Sequence, residues 1–111
     1  MDKTQLELIR GTLDLLILKS LVWGELHGYS ITRLIRRQTD EAFLVEEGTL
    51  YPALWRLENR GLVESTWGFS ENNRKAKFYR LTGDGRRHLR QESKTWAAYA
   101  AAVAKMLDAT R

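Results

Sequence analysis

The sequence has no cysteine, a single proline and no long hydrophobic run. Without cysteine there is no disulfide scaffold, no thiolate metal site and no cysteine nucleophile. One proline in 111 residues excludes a proline-rich linker protein. The longest uncharged apolar stretch, Trp96 to Ala104, falls far short of the roughly 20 residues that a membrane span requires. Met1-Asp2-Lys3-Thr4-Gln5 lacks the basic-then-apolar pattern of a secretion signal. Expectations follow of no membrane partner and of a soluble, cytoplasmic protein. A hydrophobic fraction of 43% is too high for intrinsic disorder, and the length suits one core rather than two.

Basic residues number 18 against 14 acidic, and the excess is concentrated. Between Arg74 and Arg90 lie seven basic residues and Asp84, a net of +6, while the other 94 residues carry a net of −2. Such a segment suits a polyanionic partner, since its field steers phosphate; the same charges would also suit a solvated face.

Thr4-Gln5-Leu6-Glu7 has the form of a helix capping box, and Leu6, Ile9, Leu13, Leu16, Ile17 and Leu21 recur at helical spacing. A first helix is therefore expected to run to about Trp23, loosened at Gly11 and left through Gly24. A second runs from Tyr29 to about Thr39 with Ile31, Leu34 and Ile35 inward. Pro52 has no amide hydrogen and belongs in a first turn, so the third helix is expected to start near Gly48 or Thr49. Leu50, Leu54 and Leu57 form its apolar stripe, with Trp55 expected to pack on the first or last helix. Asn59-Arg60-Gly61 ends it, and Leu62 packs back on the last turn.

The period then falls to two. Leu62 to Phe69 and Lys75 to Leu81 read as strands joined by the polar turn Ser70-Glu71-Asn72-Asn73-Arg74, a hairpin with a basic tip. Thr82 caps a last helix of some 26 residues, about 39 Å at 1.5 Å per residue. Its Trp96, Tyr99, Val103 and Met106 step by three, four and three, a heptad-like seam. A second copy of the chain would cover that seam; folding back onto its own domain is the other possibility.

The fold class is thus mainly α with a small β-hairpin, a winged helix-turn-helix over residues 1–81 and a long C-terminal dimerisation helix over 82–111 in the same structural unit. In that layout the third helix enters the major groove of double-stranded DNA and the hairpin is the wing.

Gly11-Thr12-Leu13-Asp14-Leu15-Leu16-Ile17-Leu18, Leu26-His27-Gly28-Tyr29, Glu46 to Leu54 with Arg56-Leu57-Glu58, and Tyr79-Arg80-Leu81-Thr82 together resemble the PadR family of bacterial transcriptional regulators. The single C-terminal helix resembles the family's compact subfamily. The resemblance implies a homodimeric repressor on a pseudo-palindromic operator, often released by a small molecule. It points to DNA contacts at Thr49, Tyr51, Pro52 and Arg56 of the third helix, at Asn73, Arg74, Lys75 and Lys77 of the wing, and at Tyr29 on backbone phosphate. Trp96, Tyr99, Val103 and Met106 fall at the dimer interface. A multidrug-sensing family member carries a tryptophan at the position of Trp96, which makes Trp96 a candidate contact for a small aromatic effector.

No cofactor or metal is expected. His27 and His88 lie 61 residues apart, neither with the histidine or cysteine neighbours of a zinc site, and no nucleophile is placed beside a base. Arg86, Arg87 and Arg90 are candidates to pair with acids of a partner subunit. A winged helix that docks proteins without specific DNA binding is the alternative to a DNA-binding regulator.

Overall fold

The computed structural model describes Leu8 and residues 11–110; the capping box at Thr4–Glu7 and the helical positions Leu6 and Ile9 lie outside the described residues. The element order is α1 (Thr12–Ser20), β1 (Leu26–His27), α2 (Gly28–Gln38), α3 (Glu47–Asn59), β2 (Val63–Phe69), β3 (Lys75–Leu81) and α4 (Gly83–Asp108).

Gly11 does not loosen a continuous first helix; it opens α1. Its φ of 89° is left-handed, a conformation glycine adopts without the steric cost of a Cβ. At the other end α1 stops at Ser20 rather than Trp23. The Ser20 hydroxyl donates to the Ile17 carbonyl at 2.6 Å, and the Leu21 and Val22 amides reach back to Leu18 and Lys19 in a tightened turn. The second helix forms as expected, one residue offset, with Ile31 and Ile35 buried.

The start of α3 corrects the reading of Pro52. Glu47 is its first residue, so Pro52 is the sixth and lies in the second turn. The carbonyl that loses its donor belongs to Gly48, an exposed residue whose carbonyl solvent can reach, so the missing bond costs less than it would in the core. The other end is as expected: Gly61 has φ 74°, its amide bonds the Glu58 carbonyl at 3.0 Å, and the Leu62 amide bonds the Leu57 carbonyl at 3.0 Å. These two bonds satisfy carbonyls that the helix end would leave open, and Leu62 is buried.

The hairpin belongs to a three-stranded antiparallel sheet in the order β1-β3-β2. Leu26 pairs with Tyr79 and His27 with Phe78; two residues are too few for periodicity to reveal a strand. Across β2 and β3, Glu64 stands opposite Arg80, and the two form an ion pair at 2.7 Å that supports the register.

The core is one cluster. Ile17, Leu18 and Leu21 meet Ile31 and Ile35 of α2, Leu50, Ala53, Leu54 and Leu57 of α3, Val63, Tyr79 and Leu81 of the sheet, and Leu89 of α4. Each fully buried leucine or isoleucine contributes about 1.5–3 kcal/mol, so truncating Leu54 to alanine would cost several times what any surface contact supplies. Only Gly85 and Leu89 of α4 are buried. Thr82 caps α4, its hydroxyl oxygen accepting from the Gly85 amide at 2.9 Å and donating to the Gly61 carbonyl at 2.7 Å. Beyond Leu89 the helix runs along and past the body as an almost entirely exposed arm.

Candidate nucleic-acid interface

Helix α3 turns its four buried residues inward, and the rest of its circumference faces outward. At about 100° per residue, Tyr51 and Arg56 project roughly 140° apart, on opposite flanks of the exposed face. Tyr51 leans toward α2 and the wing. Arg56 leans toward α1, where it meets the Asp14 carboxylate at 3.3 Å. Thr49 and Pro52 are exposed, Thr49 on the flank shared with Arg56.

On the Tyr51 side the N-terminus of α2, α3 and the wing enclose a cleft of about 870 Å³. Its walls include Tyr29, Arg33, Tyr51, Trp67, Arg74, Lys75 and Lys77, with Glu47 and Glu71 among them. Of the residues implied by the family resemblance, Tyr29, Tyr51, Arg74, Lys75 and Lys77 are therefore brought together. Thr49, Pro52, Arg56 and Asn73 do not line this cleft.

Local chemistry sets the positions of these groups. In β3, Lys75, Lys77 and Tyr79 share one face, and the register puts Lys77 opposite Trp67 and Lys75 opposite Phe69. The Lys75 ammonium lies 5.2 Å from the Trp67 ring centroid, Lys77 lies 6.0 Å from that of Tyr79, and the Arg33 guanidinium lies 5.5 Å from that of Tyr29. These contacts restrain long side chains without neutralising them. Among the described residues Arg33, Arg74 and Lys75 have no carboxylate partner, whereas Lys77 lies 3.8 Å from Glu58. Glu58 also accepts from the Ser65 hydroxyl at 2.6 Å. At the tip Asn73 takes φ 58°, and its amide donates to the Ser70 carbonyl at 2.9 Å.

Tyr51 is 44% exposed, with its hydroxyl against Gly28. Burial, and then the neighbouring Glu47 carboxylate, push its pKa up; burial, Glu58 and Tyr51 do the same to Tyr79. Both phenols stay protonated at neutral pH, and Tyr51 can donate a hydrogen bond to an anion. His27 is structural: its Nδ1 accepts from the Ser30 amide at 3.4 Å and caps α2, while its ring meets the Phe78 ring edge at 5.3 Å.

One aromatic residue lies away from its expected place, and a second belongs to the cleft without having been a candidate. Trp55 does not pack on α1 or α4; it is 65% exposed. Trp67 lines the cleft because the register that places Lys77 there sets Trp67 opposite it. The strand register was the signal that would have found it.

On α4, the Trp96 and Tyr99 rings stack at 6.1 Å between centroids, and Val103 and Met106 continue the exposed seam with Leu107. Between α1 and α4 lies a cleft of about 510 Å³ lined by Asp14, Leu15, Leu18, Arg60, Trp96 and Tyr99 among others. Arg86, Arg87 and Arg90 are exposed, and Arg87 pairs with Asp84 of its own helix. Among the described residues no three histidine or acidic side chains gather as a metal site, and no helix is long and apolar enough to cross a membrane.

Residues 17–91 match the sequence pattern of the transcriptional regulator PadR-like family. An uncharacterized protein of Lysinibacillus sphaericus is 35% identical over 91 residues, 82% of this chain and 84% of its own. A transcriptional regulator from Clostridium thermocellum is 36% identical, with a TM-score of 0.79 over 87% of this chain and 94% of that one. A PadR family transcriptional regulator from Eggerthella lenta is 34% identical, with a TM-score of 0.76 over 91% and 86%. The Clostridium thermocellum and Eggerthella lenta relatives are transcriptional regulators, and the layout of helices and sheet here is that of their winged helix. The chain belongs to the PadR-like family of transcriptional regulators.

Proposed function

We propose that this regulator is a cytoplasmic homodimeric repressor, in which two copies of α3 enter successive major grooves of a pseudo-palindromic operator about 34 Å apart. The observation that carries this reading is the cleft between α2, α3 and the wing. It collects Arg33, Arg74, Lys75 and Lys77 around the side chains of Tyr29, Tyr51 and Tyr79, a surface made for phosphate. Tyr29, Arg74, Lys75 and Lys77 hold the backbone and set orientation, with Asn73 shaping the tip. Thr49, Tyr51, Pro52 and Arg56 face base edges and sugars, and Arg56 must leave Asp14 to do so.

Dimerisation falls to α4, whose Trp96, Tyr99, Val103 and Met106 offer an exposed seam to a second copy. The stacked Trp96 and Tyr99 rings border the α1–α4 cleft, a suitable place for a small aromatic effector that releases the operator. Binding to the chain's own promoter region, followed by mobility shift at rising salt, tests the reading. With about 6 phosphates neutralised, the log–log slope of affinity against salt is near −5. A flat response would replace it with the protein-docking module.

A further inference from the structure

The four tryptophans of the chain are not equivalent. Trp23 lies under the Lys19 ammonium, Trp67 under Lys75, and Trp96 stacks on Tyr99. Among the described residues Trp55 alone has neither a ring nor a cation against its indole. An indole left this open exposes a large apolar surface to water, and burying it against a partner recovers that cost.

The position of Trp55 says which partner. At about 100° per residue, the side of α3 directly opposite its buried stripe is the line Gly48, Pro52, Trp55 and Asn59. None of these four bears a charge, and all are exposed. Cations outnumber acids on both sides of the line: the cleft and wing carry Arg33, Arg74, Lys75 and Lys77 with Glu47 and Glu71 among them, and the other flank carries Arg60 and Arg56, the latter paired with Asp14. An uncharged strip with a tryptophan at its centre, bordered by cations, matches a polyanion whose phosphates lie outside an inner surface of mixed polarity. The duplex major groove has that form, and its one apolar feature is the C5-methyl of thymine.

We infer that Trp55 is a specificity-determining residue that selects thymine in the operator half-site by apolar contact with that methyl group. The inference rests on α3 reading the major groove, as proposed above. Trp55 sets which base is preferred, and Tyr51 and the wing supply contacts that do not depend on the methyl.

The test uses the intact protein and a pool of random duplex DNA. Sites enriched by the parent are resynthesised with deoxyuridine in place of thymidine, one position at a time, which deletes only the methyl. The parent is expected to lose about fourfold in affinity for each contacted methyl, from about 0.8 kcal/mol per buried carbon and 1.4 kcal/mol per tenfold. Trp55→Ala and Trp55→Gln are expected to bind the two forms equally, and Trp55→Phe to keep the preference. Parent affinity unchanged by deoxyuridine at every enriched thymine overturns the inference while leaving the regulator reading intact. So does an alanine variant that discriminates as the parent does. A parent that enriches no sequence overturns both.

Discussion

The hydroxyl of Tyr51 sits in the space that a side chain on Gly28 would occupy: a Cβ there would lie 2.5 Å from the phenolic oxygen. This contact fixes Tyr51, a residue of α3, against the first residue of α2, and so sets one wall of the cationic cleft. Glycine at this position leaves room for the ring.

Gly28→Ala therefore separates stability from binding. The obstructing atom is the far end of a flexible side chain, which can swing outward, and alanine suits a helix better than glycine by about 0.5–1 kcal/mol. Urea unfolding is expected to move by less than about 1 kcal/mol in either direction, while DNA affinity falls several-fold as Tyr51 is displaced. Unchanged affinity would show that the position of Tyr51 is immaterial to binding.

Gly85 presents the opposite case. A Cβ on it would run into the backbone carbonyl oxygen of Leu62, which also accepts from the Thr82 amide and cannot swing away. Gly85→Ala is expected to destabilise the fold by about 1–3 kcal/mol, since either α4 or the α3–β2 corner must shift. Gly83→Ala is the control on the same turn: its nearest obstacle is the end of Arg87 at 3.7 Å, and its effect should be neutral or stabilising. Equal midpoints for the two variants in chemical denaturation would refute the close approach.

These two glycines mark where sequence reading ran out. The end of α3 was legible because Asn59-Arg60-Gly61-Leu62 carries its own stop signal, closed by bonds within six residues. The wing was legible from alternation, and α4 from the Thr82 cap and an unbroken helical pattern. The tightness around Gly85 depends on Leu62, 23 positions earlier, and nothing in its neighbourhood encodes that approach. Trp55 was drawn inward by its apolar character, although its place off the Leu50-Leu54-Leu57 stripe already put it outside. In the cleft, the cations Arg74, Lys75 and Lys77 were legible as charge on a hairpin. The diversion of Arg56 to Asp14 was not, because it joins elements 42 residues apart.

Tyr79 gives a pH dependence with a definite sign. Burial first, then Glu58 and Tyr51, raise its folded-state pKa above the ordinary value of about 10. The folded protein therefore holds the phenolic proton more tightly than the unfolded chain does. Its contribution is fully present below about pH 10 and is lost as pH rises through the folded-state pKa. Thermal unfolding between pH 8 and 9.5 should show no effect of this group, with a decline above pH 10. In Tyr79→Phe that alkaline decline should be smaller, with the remainder due in part to Tyr51, whose pKa is shifted the same way. A decline of the same depth in both proteins would assign it elsewhere.

The exposed seam of α4 makes the proposed dimer testable by one charge. Val103 lies midway between Tyr99 and Met106 along the helix, and these side chains remain open to solvent in the single chain. Two such helices packed across a two-fold axis would bring each Val103 into an apolar contact seen twice per dimer. Burying a valine contributes about 1.5 kcal/mol or more, and like charges facing one another add repulsion. Val103→Asp is therefore expected to weaken self-association by on the order of a hundredfold, at 1.4 kcal/mol per tenfold. Sedimentation equilibrium should then show half the parent mass at micromolar concentration. Because Val103 lies far from the core, circular dichroism should be unchanged, and loss of operator binding would follow from losing the second half-site rather than from unfolding. A monomeric parent would exclude the proposed dimer, and a variant that keeps a dimeric parent's mass would exclude the seam as the interface.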